Sequence, residues 1–195
     1  MISMPFKLPI FRKKVLELLS SSDEVKVMHV SDTPESSYRF IEGLIDRIRP
    51  DYIIHTGDLA DNIKLERRPE LKAAYEGALR KLARILKGSG ARLYVVPGNE
   101  DDAEIVRQFF GDAVVEPGTL VEIEGARFAL GHTWRDVINL EADFKLYGHN
   151  FKLIDNGLNG VLGVNFVLLP SRRTYRVKYP GGTDFDRGYK MWRGL

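Results

Sequence analysis

The sequence predicts an α/β protein with two packed β-sheets, and three observations lead there. Short strands that are apolar throughout alternate with amphipathic helical stretches up to Gly111, the pattern of parallel strands covered on both faces. From Ala113 onward strand-like runs dominate. No linker, internal repeat or low-complexity stretch divides the 195 residues, so one domain over 1–195 is expected.

Taken in order, the opening MISMPFKLPIFRKKVLELL is interrupted by Arg12, Lys13 and Lys14 where a secretory signal would run apolar. It reads as an amphipathic segment that packs on the domain or frays rather than lying on a membrane surface. Glu24 to Val30 is a buried strand ending at Ser31-Asp32. Glu35 to Arg49 follows as a helix with an apolar stripe at Phe40, Ile41, Leu44, Ile45 and Ile48, stopped by Pro50. Asp51 to Thr56 is a second strand, broken at Gly57-Asp58. Leu71 to Lys87 is a long helix with Pro69 near its start, closed by Gly88-Ser89-Gly90. Arg92 to Val96 is a third strand cut at Pro97-Gly98, and Asp102 to Phe110 a short helix ending at Gly111. Leu120 to Leu130 reads as a hairpin about Glu124-Gly125. Phe144 to Tyr147, Gly160 to Leu169 and Thr174 to Tyr179 complete the strands. Pro180 to Leu195, rich in Gly and polar groups, is assigned no element.

Composition narrows the function. Lys plus Arg number 29 and Asp plus Glu 27, a formal charge of +2 that gives no reason to expect polyanion binding by bulk charge. The absence of cysteine removes disulfides, thiolate zinc sites and thiol nucleophiles, so any metal must sit on Asp, Glu, Asn and the four histidines. No apolar run approaches the ~20 residues that span a bilayer, and a cytoplasmic location without membrane contact is expected. No glycine-rich phosphate loop and no Ser, Cys or Lys nucleophile constellation is present.

What remains is a pattern at the strand ends. In open α/β sheets ligands collect at the carboxyl ends of strands. Here three successive strands end in Asp32, in Asp58 and in Asn99-Glu100-Asp101, and two later ones run into Gly131-His132 and Gly148-His149. Each acid alone reads as well as a helix cap, and Asp32 is placed to cap the helix from Glu35. Their joint occurrence points to a site of oxygen and imidazole donors suited to manganese, iron, zinc or magnesium. His29 and His55 lie inside strands and read as hydrogen-bonded core residues, Trp134 as core filler. The basic and aromatic run Arg172 to Tyr179 reads as an exposed strand face rather than a nucleic-acid surface.

In that order the motifs resemble the calcineurin-like metallophosphoesterase family, whose pattern runs D-x-H, G-D-x-x, G-N-H-[DE], a later histidine and G-H-x-H. Here they stand as Asp32-Thr33-Pro34, Gly57-Asp58-Leu59-Ala60-Asp61, Gly98-Asn99-Glu100-Asp101, Gly131-His132 and Gly148-His149-Asn150-Phe151, within Val25 to Ser171. The resemblance implies a two-sheet β-sandwich flanked by helices and a metal-dependent phosphoesterase acting on a phosphomonoester or phosphodiester. It implies metal ligation by Asp32, Asp58, Asn99, His132 and His149, substrate binding by Asn99, and catalytic roles for Asn99 and Glu100. In many relatives the ligand histidine precedes a glycine, whereas His132 follows one, so Leu130 is the other residue that aligns there.

Pro34, Glu100 and Phe151 stand where the family has histidines. The first metal position keeps only Asp32 and Asp58, while the second keeps all four residue types. The expectation is therefore a weakened hydrolase holding one divalent ion (Mn, Mg, Fe or Zn) rather than two, with Glu100, Asp101 or Asp61 as possible replacement ligands. The alternative is a catalytically inactive scaffold that binds a protein or nucleotide partner.

Overall fold

The computed structural model describes residues 10–189; Met1 to Pro9, the start of the amphipathic segment, and residues 190–195 lie outside it. In chain order the first elements are α1 (Ile10–Ser21), β1 (Val25–Val30), α2 (Tyr38–Ile48), β2 (Tyr52–His55), α3 (Lys72–Gly88), β3 (Arg92–Val95) and α4 (Ala103–Phe110). They are followed by β4 (Thr119–Ile123), β5 (Ala126–Leu130), α5 (Trp134–Val137), β6 (Phe144–Tyr147), β7 (Gly157–Asn159), β8 (Val164–Leu169), β9 (Arg173–Val177) and α6 (Thr183–Asp186).

Two sheets form, in the orders β3-β2-β1-β8-β9 and β4-β5-β6-β7. In the first, β1 to β3 run parallel and β8 returns antiparallel against β1. In the second, β5, β6 and β7 are parallel and β4 pairs antiparallel with β5. Strand alternation then splits the apolar residues between two layers. Met28, Val30, Ile53, Val95 and Phe166 pack on the stripes of α2, α3 and α4, while Val27, Ile54, Val96 and Val167 face Phe128, Leu130 and Leu146 of the second sheet. Apolar side chains on both faces of the first-half strands thus have a physical cause: helices cover one face and the second sheet the other. Leu16 and Leu19 of α1 are buried in the helical layer. Among the described residues no helix is long and apolar enough to cross a membrane.

The structure departs most from the sequence reading at three places. Gly160 to Leu169 does not form one strand: Gly160–Leu162 is a 3-10 turn whose Val161 N–H donates to Asn159 Oδ1 at 2.9 Å, and the strand starts at Val164. The three-residue strand β7 was too short to register as a pattern. Pro180 to Leu195, unassigned from sequence, contains α6, which is tied to the core by Arg187.

Candidate functional site

The carboxyl ends of β1, β2, β3, β5 and β6 converge. Backbone bonds stitch their loops together: Asp32 N–H donates to the Gly57 carbonyl, Thr33 N–H to that of Asp58, and Gly148 N–H to that of His132, each at 2.9 Å. Asp32, Asp58 and His149 adopt left-handed backbones with φ of 52°, 54° and 69°. That conformation costs a non-glycine residue about 1–2 kcal/mol, and such strain is held where surroundings over-determine it. Close approach explains two glycines. A Cβ on Gly98 would lie 2.2 Å from Asp58 Oδ1, and one on Gly148 2.1 Å from Asp32 Oδ2.

Asp101 is the chief fastener. Its Oδ2 accepts the N–H groups of Asp58 and Gly98 at 2.8 Å each, and its Oδ1 accepts those of Leu59 (3.0 Å) and the Tyr75 hydroxyl (2.8 Å). All four bonds go to Asp101, so it orients the loops that carry Asp58 and Asn99 and is not free to act as a replacement ligand. Asp32 does not cap a helix either. Its carboxylate accepts the Ser31 hydroxyl (2.6 Å) and the His149 N–H (3.0 Å), and no side chain caps the turn at Glu35.

Of the residues singled out from sequence, Asp58, Asn99, His132 and His149 come together. His132 Nδ1 lies 2.8 Å from the Thr56 carbonyl oxygen, which can only accept, so the ring carries a proton there and donates it. His132 Nε2 then lies 3.0 Å from Asn99 Oδ1, 3.2 Å from His149 Nδ1 and 3.5 Å from Asp58 Oδ2. His132, not Leu130, therefore occupies the cluster; Leu130 is buried between the sheets. Four electron-rich side chains meet at one point, and a cation or an added proton is what would satisfy them together. The donor set fits a borderline divalent metal, and ligand atoms of Asp58, His132 and His149 all lie within 4.8 Å of one another.

Asp32 stands on the other side of Asp58, with Asp61 as a third buried carboxylate within the same span. Burial, reinforced by the charges of Asp32, Asp101 and Asp61, pushes the Asp58 carboxyl well above the usual carboxylate range. Burial and then Asp32 push Asp61 up to about 7, against the lowering pull of Lys64. The His149 imidazole is lowered, first by burial and then by His132. Glu100 is buried too, but its carboxylate accepts from the Glu66 N–H at 3.2 Å, while its own N–H donates to Asp58 Oδ1 at 3.0 Å. Through its backbone it positions Asp58. Pro34 bears no ligating atom, and Phe151 turns outward, its ring centroid 5.2 Å from that of Tyr189.

Beside these groups opens a pocket of about 220 Å³ lined by Asp58, Asp61, Asn99, Glu100 and His149 together with Lys64, Arg67 and Tyr189. Sequence reasoning missed the last three and Arg187. Arg187 is 1 % exposed, and its guanidinium donates to the carbonyls of Asp32 (2.6 Å) and Val161 (2.9 Å) and to Asp184 (2.9 Å). That anchor sets Tyr189, whose hydroxyl donates to the His149 carbonyl at 3.0 Å and lies 3.5 Å from Asp32 Oδ1. No local signal separates Arg187 from the many surface arginines, so only the tertiary fold reveals it.

The remaining candidates are structural. His29 Nε2 lies 2.9 Å from Thr56 Oγ1 and His55 Nε2 2.9 Å from Thr33 Oγ1, both buried. Trp134 packs on Val137 and Tyr147 and lies under the cations of Arg135 and Lys152. The start of the basic run from Arg172 is held by ion pairs, Arg172 with Asp143 and Arg173 with Glu24.

The profile of the calcineurin-like phosphoesterase family matches residues 25–192. Among solved structures, the phosphoesterase Yfce from E. coli superposes with a TM-score of 0.52 at 17% identity, over 80% of this chain and 100% of that one. A further crystal structure does so with a TM-score of 0.55 at 14% identity, again over 80% of this chain and 100% of the other. At such identities the likeness shows the shared fold. No curated protein matches the chain.

Proposed function

The chain belongs to the calcineurin-like phosphoesterase family, and from that premise we propose that it hydrolyses a phosphomonoester or phosphodiester with the help of a divalent cation held by Asp58, Asn99, His132 and His149. The observation that supports this is the convergence of Asn99 Oδ1, His149 Nδ1 and Asp58 Oδ2 on Nε2 of His132. A cation bound there supplies Lewis-acid polarisation of the ester and eases deprotonation of a water.

The chain's own residues do the rest. Asn99, whose Nδ2 donates to Glu66 Oε2 at 3.1 Å, presents its amide at the pocket mouth where a phosphoryl oxygen would be oriented. Arg67 edges the pocket with a positive charge that would meet an anionic ester, while the Lys64 ammonium pairs with Asp61. Asp32 supports the centre from beyond Asp58. A pocket of about 220 Å³ is small, so the substrate enters by its phosphoryl end. With Pro34, Glu100 and Phe151 at family histidine positions, turnover is weak. We place the protein in the cytoplasm.

The test is hydrolysis of p-nitrophenyl phosphate and bis(p-nitrophenyl) phosphate with Mn, Mg, Fe or Zn. Metal-dependent turnover that is lost in Asp58→Asn is the expected result. No turnover with any metal, or turnover unchanged in Asp58→Asn, would refute it. One observation favours the scaffold reading: Phe151 and Phe185, 51% and 80% exposed, flank an apolar groove of about 460 Å³ beside the site. On that reading Asp58→Asn, stably folded, still complements a deletion strain.

A further inference from the structure

We infer that Asp32, Asp58 and Asp61 form a second cation position, made of oxygen alone, which takes a hard divalent ion such as Mg²⁺. The inference rests on the reading above that Asp58 faces a cation, and extends it to a ligand, Asp61, outside the metal set carried over from the family.

Three carboxylates with ligand atoms within 4.8 Å of one another, all buried, are the first observation. The second concerns Asp61 itself. It is 1 % exposed, Lys64 Nζ bonds its Oδ1, and its Oδ2 is a buried oxygen with no hydrogen-bond partner among the described residues. A buried carboxylate oxygen left without a donor costs about 1–3 kcal/mol or more, and the pocket that Asp61 lines also holds Asp58.

Charge points the same way. The three carboxylates meet one ammonium, from Lys64, on the outer oxygen of Asp61. Arg187 lies near, but its guanidinium spends its bonds on backbone carbonyls and on Asp184. Holding all three ionised side by side therefore calls for cations besides Lys64. Mg²⁺ and Ca²⁺ bind oxygens at about 2.0–2.6 Å, so one ion reaches across a gap of this size after small side-chain shifts.

Chemistry separates the two positions. The imidazole-bearing one suits zinc and its neighbours, and the all-oxygen one suits magnesium or calcium. The loss of imidazole implied by Pro34 and Phe151 thus leaves a position of different selectivity. The centre becomes a mixed one of two unlike ions.

The experiment uses the full chain, stripped with chelator, loaded with one equivalent of Zn²⁺ and then titrated calorimetrically with Mg²⁺. Wild type is expected to bind one Mg²⁺, and Asp61→Asn to bind it at least tenfold more weakly while keeping its Zn²⁺. Lys64→Met keeps all three carboxylates and removes the competing ammonium, so it should bind Mg²⁺ several-fold more tightly. It stands in should Asp61→Asn fail to fold. No Mg²⁺ uptake by Zn²⁺-loaded wild type, or uptake unchanged in the variants, overturns the inference. Loss of Zn²⁺ binding from wild type would instead count against the imidazole position and the function built on it.

Discussion

Replacing Asp101 by Asn tests how the site is held. The side chain keeps its shape, so no cavity opens, but one of its two oxygens becomes an NH₂ group. In the best arrangement Asn keeps an oxygen toward the Asp58 and Gly98 N–H groups, and the Tyr75 hydroxyl turns to accept. The Leu59 N–H then faces a donor, where it now donates at 3.0 Å. One buried orphan donor costs about 1–3 kcal/mol, and turning two charge-assisted bonds into neutral ones about 1 kcal/mol each. Relief of repulsion works the other way, because Asp101 contributes to the upward push on Asp58. The net expectation is a loss of about 2–4 kcal/mol, read as the shift in a urea unfolding curve at pH 7.5 in chelator. Tyr75→Phe removes one bond to the same carboxylate and should lose about 1 kcal/mol. An Asp101→Asn protein within about 0.5 kcal/mol of wild type would refute the assignment of Asp101 as the fastener of these loops.

Arg187→Met should cost about 2–4 kcal/mol by leaving the Asp32 and Val161 carbonyls without their donor, measured by the same denaturation. An unchanged curve would show that the C-terminal anchor contributes nothing. The metal-free protein should also respond to pH in two opposed ways. Asp61, raised to about 7, favours the folded state at low pH, and that contribution is lost as pH rises from about 4 through 7. His29 and His55, held down at about 3 by burial, contribute stability that is complete above about pH 6.5 and is lost as pH falls toward 3. Asp61→Asn removes the first trend, so between pH 6.5 and 4.5 its stability should fall with acid more steeply than wild type, by up to about 1.4 kcal/mol per pH unit. Parallel pH profiles for the two proteins would contradict this.

Most of the fold was legible because its signals are local. The largely apolar strands at Val25–Val30 and Val164–Leu169, the stripe of α2 and the Glu124-Gly125 turn, with φ of 48° and 71°, each follow from residue type and spacing. The short strand β7 and the turn at Gly160–Leu162 were not legible, since an Asn159 side-chain bond interrupts what reads as one apolar run. The acids and imidazoles were visible as strand-end residues, but their roles were not. Asp101 and Asp61 look equivalent in sequence, yet one is bound by four donors and the other has an oxygen bound by none among the described residues. The cover that Arg187 and Tyr189 place over Asp32 comes from some 150 residues away in the chain, as the 155-residue separation of Arg187 and Asp32 illustrates. Periodicity does not report contacts at such range.

The imidazole half-site is the claim on which the account turns, and Zn²⁺ calorimetry on chelator-stripped protein with His132→Ala and His149→Ala as comparisons tests it most directly. Wild type should bind one Zn²⁺ tightly, and each variant should bind it at least a hundredfold more weakly while remaining folded. Zn²⁺ binding of undiminished affinity in either variant, or none in wild type, would contradict it.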